Sequence, residues 1–243
     1  GPMDSVFLRI LAMNDFHGQL EGRVYDWSGG RSVGGAAVLK AHMDSAAAEC
    51  NCPSIRLDGG DEMQGTLLSN LEYGKATIAT LNAMGLQGAA IGNHEFDWSV
   101  DSLQQRMREA RYPMLAANII DSATMRRPPW ARPWAMVETG GLKVALVGYI
   151  TIDTKTAVKP IWVQGLAFPG GAEPLRGVLD TVRANKPDAI IIVAHAGDAC
   201  RENGCDGETI ALARALGPGA VDAIVSGHVH AAVTDTSTGT PII

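Results

Sequence analysis

Short apolar runs alternate with longer helix-like stretches along most of this chain, from "VFLRILAMND" near its start to "VDAIVSGHVH" near its end. Apolar runs of strand length bounded by Gly, Asn or Asp predict buried strands, and three-to-four-residue apolar spacing predicts the helices between them. "GGAAVLKAHMDSAAAE" is expected as an Ala-rich helix, followed by a strand at "SIRLDGGD". "GKATIATLNAMG" is a helix closed by Gly85, and "SVDSLQQRMREARY" opens on Ser99 as an N-cap. Strands are expected in "AAIGNHE", "PMLAANI", "LKVALVGYIT" and "DAIIIVAHAG", with helices in "AEPLRGVLDTVRANK" and "GETIALARALG". The Pro- and Trp-rich "RRPPWARPW" receives no element. Such alternation specifies an α/β sandwich whose sheets are covered by helices.

At 243 residues the chain is expected to form one domain. A formal net charge of -6 gives no broad cationic footprint for nucleic-acid backbones or anionic lipids. No apolar run is long enough to span a bilayer. "GPM", residues 1–3, looks like the remnant of a protease-cleaved tag, so residues 4–243 are taken as the natural segment and a signal peptide as removed. Four cysteines form two local pairs, Cys50 with Cys52 and Cys200 with Cys205, of which the second is the better disulfide candidate. Periplasmic or secreted location is the expectation; free thiols in a cytoplasmic protein are the alternative.

Polar groups gather where strands end: Asp15 and His17, then Asp61, then Asn93 and His94, then His195, then His228 and His230. Five of the six histidines fall in these positions. Loops at the carboxyl ends of strands in α/β sheets converge on one crevice. Several His, two Asp and an Asn amide suit a pair of divalent cations, and mixed N and O ligands suit Zn, Mn, Fe or Co. Paired cations about 3.5–4 Å apart share a bridging carboxylate, for which Asp61 is the natural choice.

The segments "NDFHG", "DGGDEMQG", "GNHEFD", "VAHAGD" and "SGHVH" resemble the calcineurin-like metallophosphoesterases, and closely the 5'-nucleotidase family. The resemblance runs from about Leu8 to the end and includes "VGYITIDT" and "VQGLAF". It implies a layered α-β-β-α sandwich with the active site at the carboxyl ends of the strands. It further implies one metal held by Asp15, His17, Asp61 and His230, a second held by Asp61, Asn93, His195 and His228, and a catalytic dyad of His94 and Asp97. Asn93 and His94 would also meet the substrate phosphate. The reaction implied is removal of phosphate from nucleoside 5'-monophosphates by in-line attack of a metal-bound hydroxide. A 2',3'-cyclic nucleotide phosphodiesterase and a nucleotide-sugar diphosphate hydrolase share the motifs. A non-catalytic metal-binding relic and a sulfur-oxidation thiohydrolase are the alternatives of other classes, and His94 in "GNHEFD" argues against the last.

Other residues near the motifs receive structural roles. His42 is read as a surface or packing residue, Asp58 as support for the "DGGD" turn, Glu95 as no more than a neighbour of the ligands, and Gln64 as a hydrogen-bonding residue near the site. Trp27, Trp98, Trp130, Trp134 and Trp162 are assigned to packing rather than base stacking. The resemblance also leads to the expectation that a C-terminal nucleotide-specificity domain is absent, the catalytic domain being cut before its last strands. A sheet so cut exposes an edge, and self-association through it is expected.

Overall fold

The computed structural model describes residues 7–202 and 204–243; residues 1–3, read as a tag remnant, lie outside them. Two four-stranded sheets face one another. The first runs β1 (Arg9–Met13), β2 (Ser54–Asp58), β3 (Gly88–Ala90) and β4 (Met114–Leu115), all parallel and in sequence order. The second comprises β5 (Trp134–Thr139), β6 (Leu142–Ile150), β7 (Ala189–His195) and β8 (Ala223–Val225), in the order β8-β7-β6-β5. Within it β5 is antiparallel to β6 and the other pairs are parallel.

Each sheet is apolar on both faces, as a sheet covered on both sides must be. Ile55, Leu57, Ala90 and Leu115 meet Val144, Leu146, Ile191, Val193 and Val225 between the sheets. Outside the first sheet lie α1 (Ala36–Ala48), α2 (Lys75–Met84) and α3 (Val100–Glu109), contributing Met43, Ile78, Leu81 and Leu103. Outside the second lie α4 (Glu173–Ala184) and α5 (Glu208–Leu216). In α4 the buried residues Leu175, Val178, Leu179 and Val182 follow the helical repeat and form one stripe. The result is the expected α-β-β-α sandwich.

Local signals behave as their chemistry requires. Gly85 ends α2 in the left-handed conformation at φ 76°, and the Ser99 hydroxyl accepts the Ser102 N–H at the start of α3. β5 begins at Trp134, the last residue of the Pro- and Trp-rich passage left unassigned from sequence, and returns as β6 through Gly140 and Gly141, both at positive φ. "PMLAANI" supplies only two strand residues, because the chain turns from the first sheet to the second: the Ala117 N–H donates to Gly148 O of β6 (2.9 Å). Backbone there approaches so closely that a side chain at Gly148 would strike Leu115 and Ala116. The outer edge of β8 pairs with residues 241–243.

Both cysteine pairs are disulfide-bonded, Cys50–Cys52 as well as Cys200–Cys205. The second clasps a hairpin of Asp198–Arg201 with Gly204–Gly207, where a turn was expected. No helix among the described residues is long and apolar enough to cross a membrane.

Candidate metal centre and active site

The strands of both sheets deliver their loops to one place. The loops after β1 and β2 are zipped together by backbone: the Asp15, His17 and Gly18 N–H groups donate to the carbonyls of Gly60, Asp61 and Glu62. The Gly227 N–H donates to Ala196 O, tying the loop after β8 to the one after β7.

All seven residues assigned as ligands from sequence come together. Asp15, His17 and His230 place one ligand atom each within 4.8 Å of one another, as do Asp61, His195 and His228. Asp61 Oδ2 joins the groups, lying 3.8 Å from His17 Nε2 and 3.1 Å from His195 Nε2. Asn93 Oδ1 is 3.0 Å from His195 Nε2, and His230 Nε2 is 3.2 Å from both Asp15 Oδ1 and His17 Nε2. Asp15, His17, Asp61, His228 and His230 all have φ between 47° and 76°. This left-handed region is costly for residues with a side chain and persists where surroundings over-determine it, commonly at functional sites.

The donor set fits cations. Asp15 Oδ1 is buried and accepts no hydrogen bond although His230 Nε2 lies 3.2 Å away, which leaves its lone pairs and the imidazole nitrogens beside it open to a cation. A backbone carbonyl accepts only, so His195 Nδ1–H donates to Gly59 O (2.9 Å) and directs Nε2 at the oxygens of Asp61 and Asn93. Similarly, His17 Nδ1–H donates to Gln64 O (2.9 Å) and frees Nε2 for the cluster. Gln64 thus hydrogen-bonds at the site as expected, through its backbone carbonyl.

Charge balance in this cluster is uneven. Burial pushes the Asp61 carboxyl up, but His195 and then His94 outweigh it and hold the group down at about 2. Burial pushes His195 down, while Asp61, then Asp15 and Glu95, outweigh it and raise it to about 9. Behind them, burial pushes the carboxyls of Asp58 and Glu62 well above the usual range. Burial, with Asp61 next, brings Glu95 to about 7.

His94 and Asp97 sit at the edge of the cluster. A carboxylate only accepts, so the His94 Nδ1–H donates to Asp97 Oδ2 at 2.6 Å; that bond is the chief reason the imidazole is more basic than usual. The His94 ring centroid is 5.2 Å from that of His17, with Nε2 left free of the Asp97 bond. The backbone N–H of His94 donates to Asp61 Oδ1 (2.8 Å).

Of the remaining sequence assignments, His42 is exposed on α1, and Asp58 Oδ1 accepts the Gly60 N–H within its turn. Trp98 and Trp130 pack against the first core, but Trp27 is 75% exposed and stacks on Tyr25, against the expectation of packing. Gly59, as the carbonyl that orients His195, and Asp153, whose Oδ2 is 3.9 Å from His228 Nε2, escaped sequence reasoning.

The family described as bacterial capsule synthesis protein PGA_cap matches residues 19–243. The chain belongs to this family. It is 33% identical over 229 residues to a 5'-nucleotidase of Vibrio cholerae, which covers 91% of this chain and 40% of that protein. A 5'-nucleotidase precursor from Thermus thermophilus superposes with a TM-score of 0.77 at 24% identity, over 97% of this chain and 48% of the other. The calcineurin-like phosphoesterase YfkN of Bacillus subtilis gives 0.76 at 22%, over 92% and 72%. At these identities the likeness to solved structures is one of fold. The resemblance read from the motifs therefore holds: over most of its length the chain is similar to 5'-nucleotidases, and it shares the fold of calcineurin-like phosphoesterases. The chain spans about 40% of the length of the curated relatives it matches.

Proposed function

We propose that this PGA_cap family member hydrolyses phosphate monoesters at a dinuclear metal centre, with nucleoside 5'-monophosphates as substrates. The observation that carries the reading is Asp61, which belongs to one group of three ligands with His195 and His228 and whose Oδ2 also lies 3.8 Å from His17 Nε2 of the other. One cation would be held by Asp15, His17, Asp61 and His230, the other by Asp61, Asn93, His195 and His228. Two divalent ions there would neutralise phosphoryl oxygens and acidify a water.

The protein's own groups do the rest. The His94 N–H holds Oδ1 of Asp61, which leaves Oδ2 facing the imidazoles of His17 and His195, where it would help hold the cations. Asp97 fixes the ring of His94 and raises its basicity, so that the cationic ring can donate from Nε2 to a phosphoryl oxygen or to the departing alkoxide. The Asn93 amide lies beside this ring in sequence and is assigned a contact to the phosphate. Two disulfides favour an oxidising compartment, periplasmic or secreted.

The test is elemental analysis of the purified protein together with turnover of p-nitrophenyl phosphate and AMP under added Mn²⁺ or Zn²⁺. Two equivalents of metal and turnover of both esters are expected. Hydrolysis of the simple ester alone removes nucleotides from the assignment for this chain; absence of both metal and turnover overturns the whole reading.

A further inference from the structure

Glu95 is only 1% exposed, belongs to neither ligand group, and has no part in the hydrolysis described above. A buried carboxylate must be matched by donors, and this one is matched only by backbone. Its Oε2 accepts the N–H of Asp61 (2.9 Å) and of Gly92 (2.6 Å), and its Oε1 accepts the N–H of Met63 (3.1 Å). Asp61 and Met63 belong to the loop after β2, and Gly92 to the turn after β3. One side chain thus ties the loop carrying the bridging carboxylate to the turn carrying Asn93 and His94.

Two further features show how tightly this junction is set. The return bond from the His94 N–H to Asp61 Oδ1 runs between the same two segments, and Asp61 keeps φ 57° under these constraints. A Cβ on Gly92 would fall on the Asp61 carboxylate and backbone nitrogen and on the Glu95 carboxylate, so no slack separates the three. Glu62 is the contrast: equally buried and one residue from Asp61, its carboxylate accepts only the Tyr112 hydroxyl.

We propose that Glu95 is a positioning residue that clamps the backbone of Asp61 against the Asn93–His94 turn and so fixes the separation of the two metal sites. The inference rests on the dinuclear reading above. The experiment is Mn(II) binding to the whole chain, followed by titration and by EPR of the exchange-coupled Mn(II) pair, for wild type, Glu95→Gln and Glu62→Gln. The amide keeps the volume of the acid but offers a single acceptor oxygen, so one of the three N–H groups is left facing a donor. Glu95→Gln, with wild-type circular dichroism, is expected to weaken Mn(II) binding about 10- to 100-fold, the range for lost outer ligand partners, and to lose the coupled signal. Glu62→Gln is expected to keep both.

Wild-type affinity and coupling in Glu95→Gln overturn the proposal. So do equal losses in the two variants, since burial of any carboxylate would then account for them. Amide hydrogen exchange on the wild type covers the remaining cases: should Glu95→Gln fail to fold, protection of the Asp61, Met63 and Gly92 N–H groups supports the clamp and loop-like exchange overturns it. A wild type that binds no Mn(II) pair defeats the dinuclear reading alone, and the clamp is then decided by the same three amides.

Discussion

Asp61 meets the chain's chemistry at both of its oxygens, Oδ1 held by the His94 N–H and Oδ2 facing His17 and His195. Asp61→Ala is therefore expected to abolish binding of both metals, and retention of two equivalents in elemental analysis would refute the bridge. His94→Ala removes no proposed ligand. It is expected to keep both metals and to lower kcat by about 10²–10⁴-fold, the usual range for a lost acid-base group; unchanged kcat would take His94 out of the mechanism. These ligands were legible in sequence because each is a short polar motif placed directly behind an apolar run. The role of Gly59 was not, because it acts through a carbonyl whose direction depends on backbone conformation and not on residue type. Glu95 was underrated for a related reason. Adjacent residues in a turn do point apart, but here the side pointing away from the ligands leads to three backbone N–H groups.

At the scale of elements, α3 starts on a residue with two opposed demands. The Ser99 hydroxyl caps the helix through the Ser102 N–H at 3.3 Å, yet Ser99 has φ 97°, a region that favours glycine. Replacing a Ser cap by Ala costs about 0.5–2 kcal/mol, whereas Gly at a cap costs only a few tenths. Glycine also relieves the strained φ, worth about 1–3 kcal/mol. Chemical denaturation is expected to show Ser99→Ala destabilised and Ser99→Gly equal to or above wild type; a Gly variant as weak as the Ala variant would show that the φ carries no strain. The cap itself was readable, as was the Gly85 stop, since both are local rules. β5 was not read, though Gly140–Gly141 marks its turn, because Pro and Trp just ahead of it mask the strand signal. The hairpin at Asp198–Arg201 was missed because its strands are short and mostly exposed, without an apolar face, and cross-strand pairing rather than periodicity forms it.

At the scale of the molecule, periodicity alone specifies buried strands and covering helices without saying whether they make one sheet or two. That division came from the resemblance, and its physical origin lies in the passage after β4. There Pro128, Pro129 and Pro133 lack N–H donors, and the chain enters the second sheet through an antiparallel strand. The opposite edge of that sheet is closed by the chain's own last residues. Ile224 donates its N–H to Pro241 O (2.9 Å) and accepts that of Ile243 (3.0 Å), Ser226 donates to Ile243 O (2.8 Å), and Ile242 is fully buried. Deleting residues 241–243 is expected to free the backbone of β8 and leave a void where Ile242 packed, a loss of about 2–5 kcal/mol by analogy with Ile→Ala in cores. An unpaired strand edge recruits another chain, so light scattering should find the shortened protein associating at concentrations where the parent does not. Because β8 leads within three residues to His228, Mn(II) affinity should fall together with the melting temperature. A shortened protein with the parent's mass in solution and the parent's Tm would mean that residues 241–243 close nothing, and self-association through the β8 edge would then have to be sought in the parent itself.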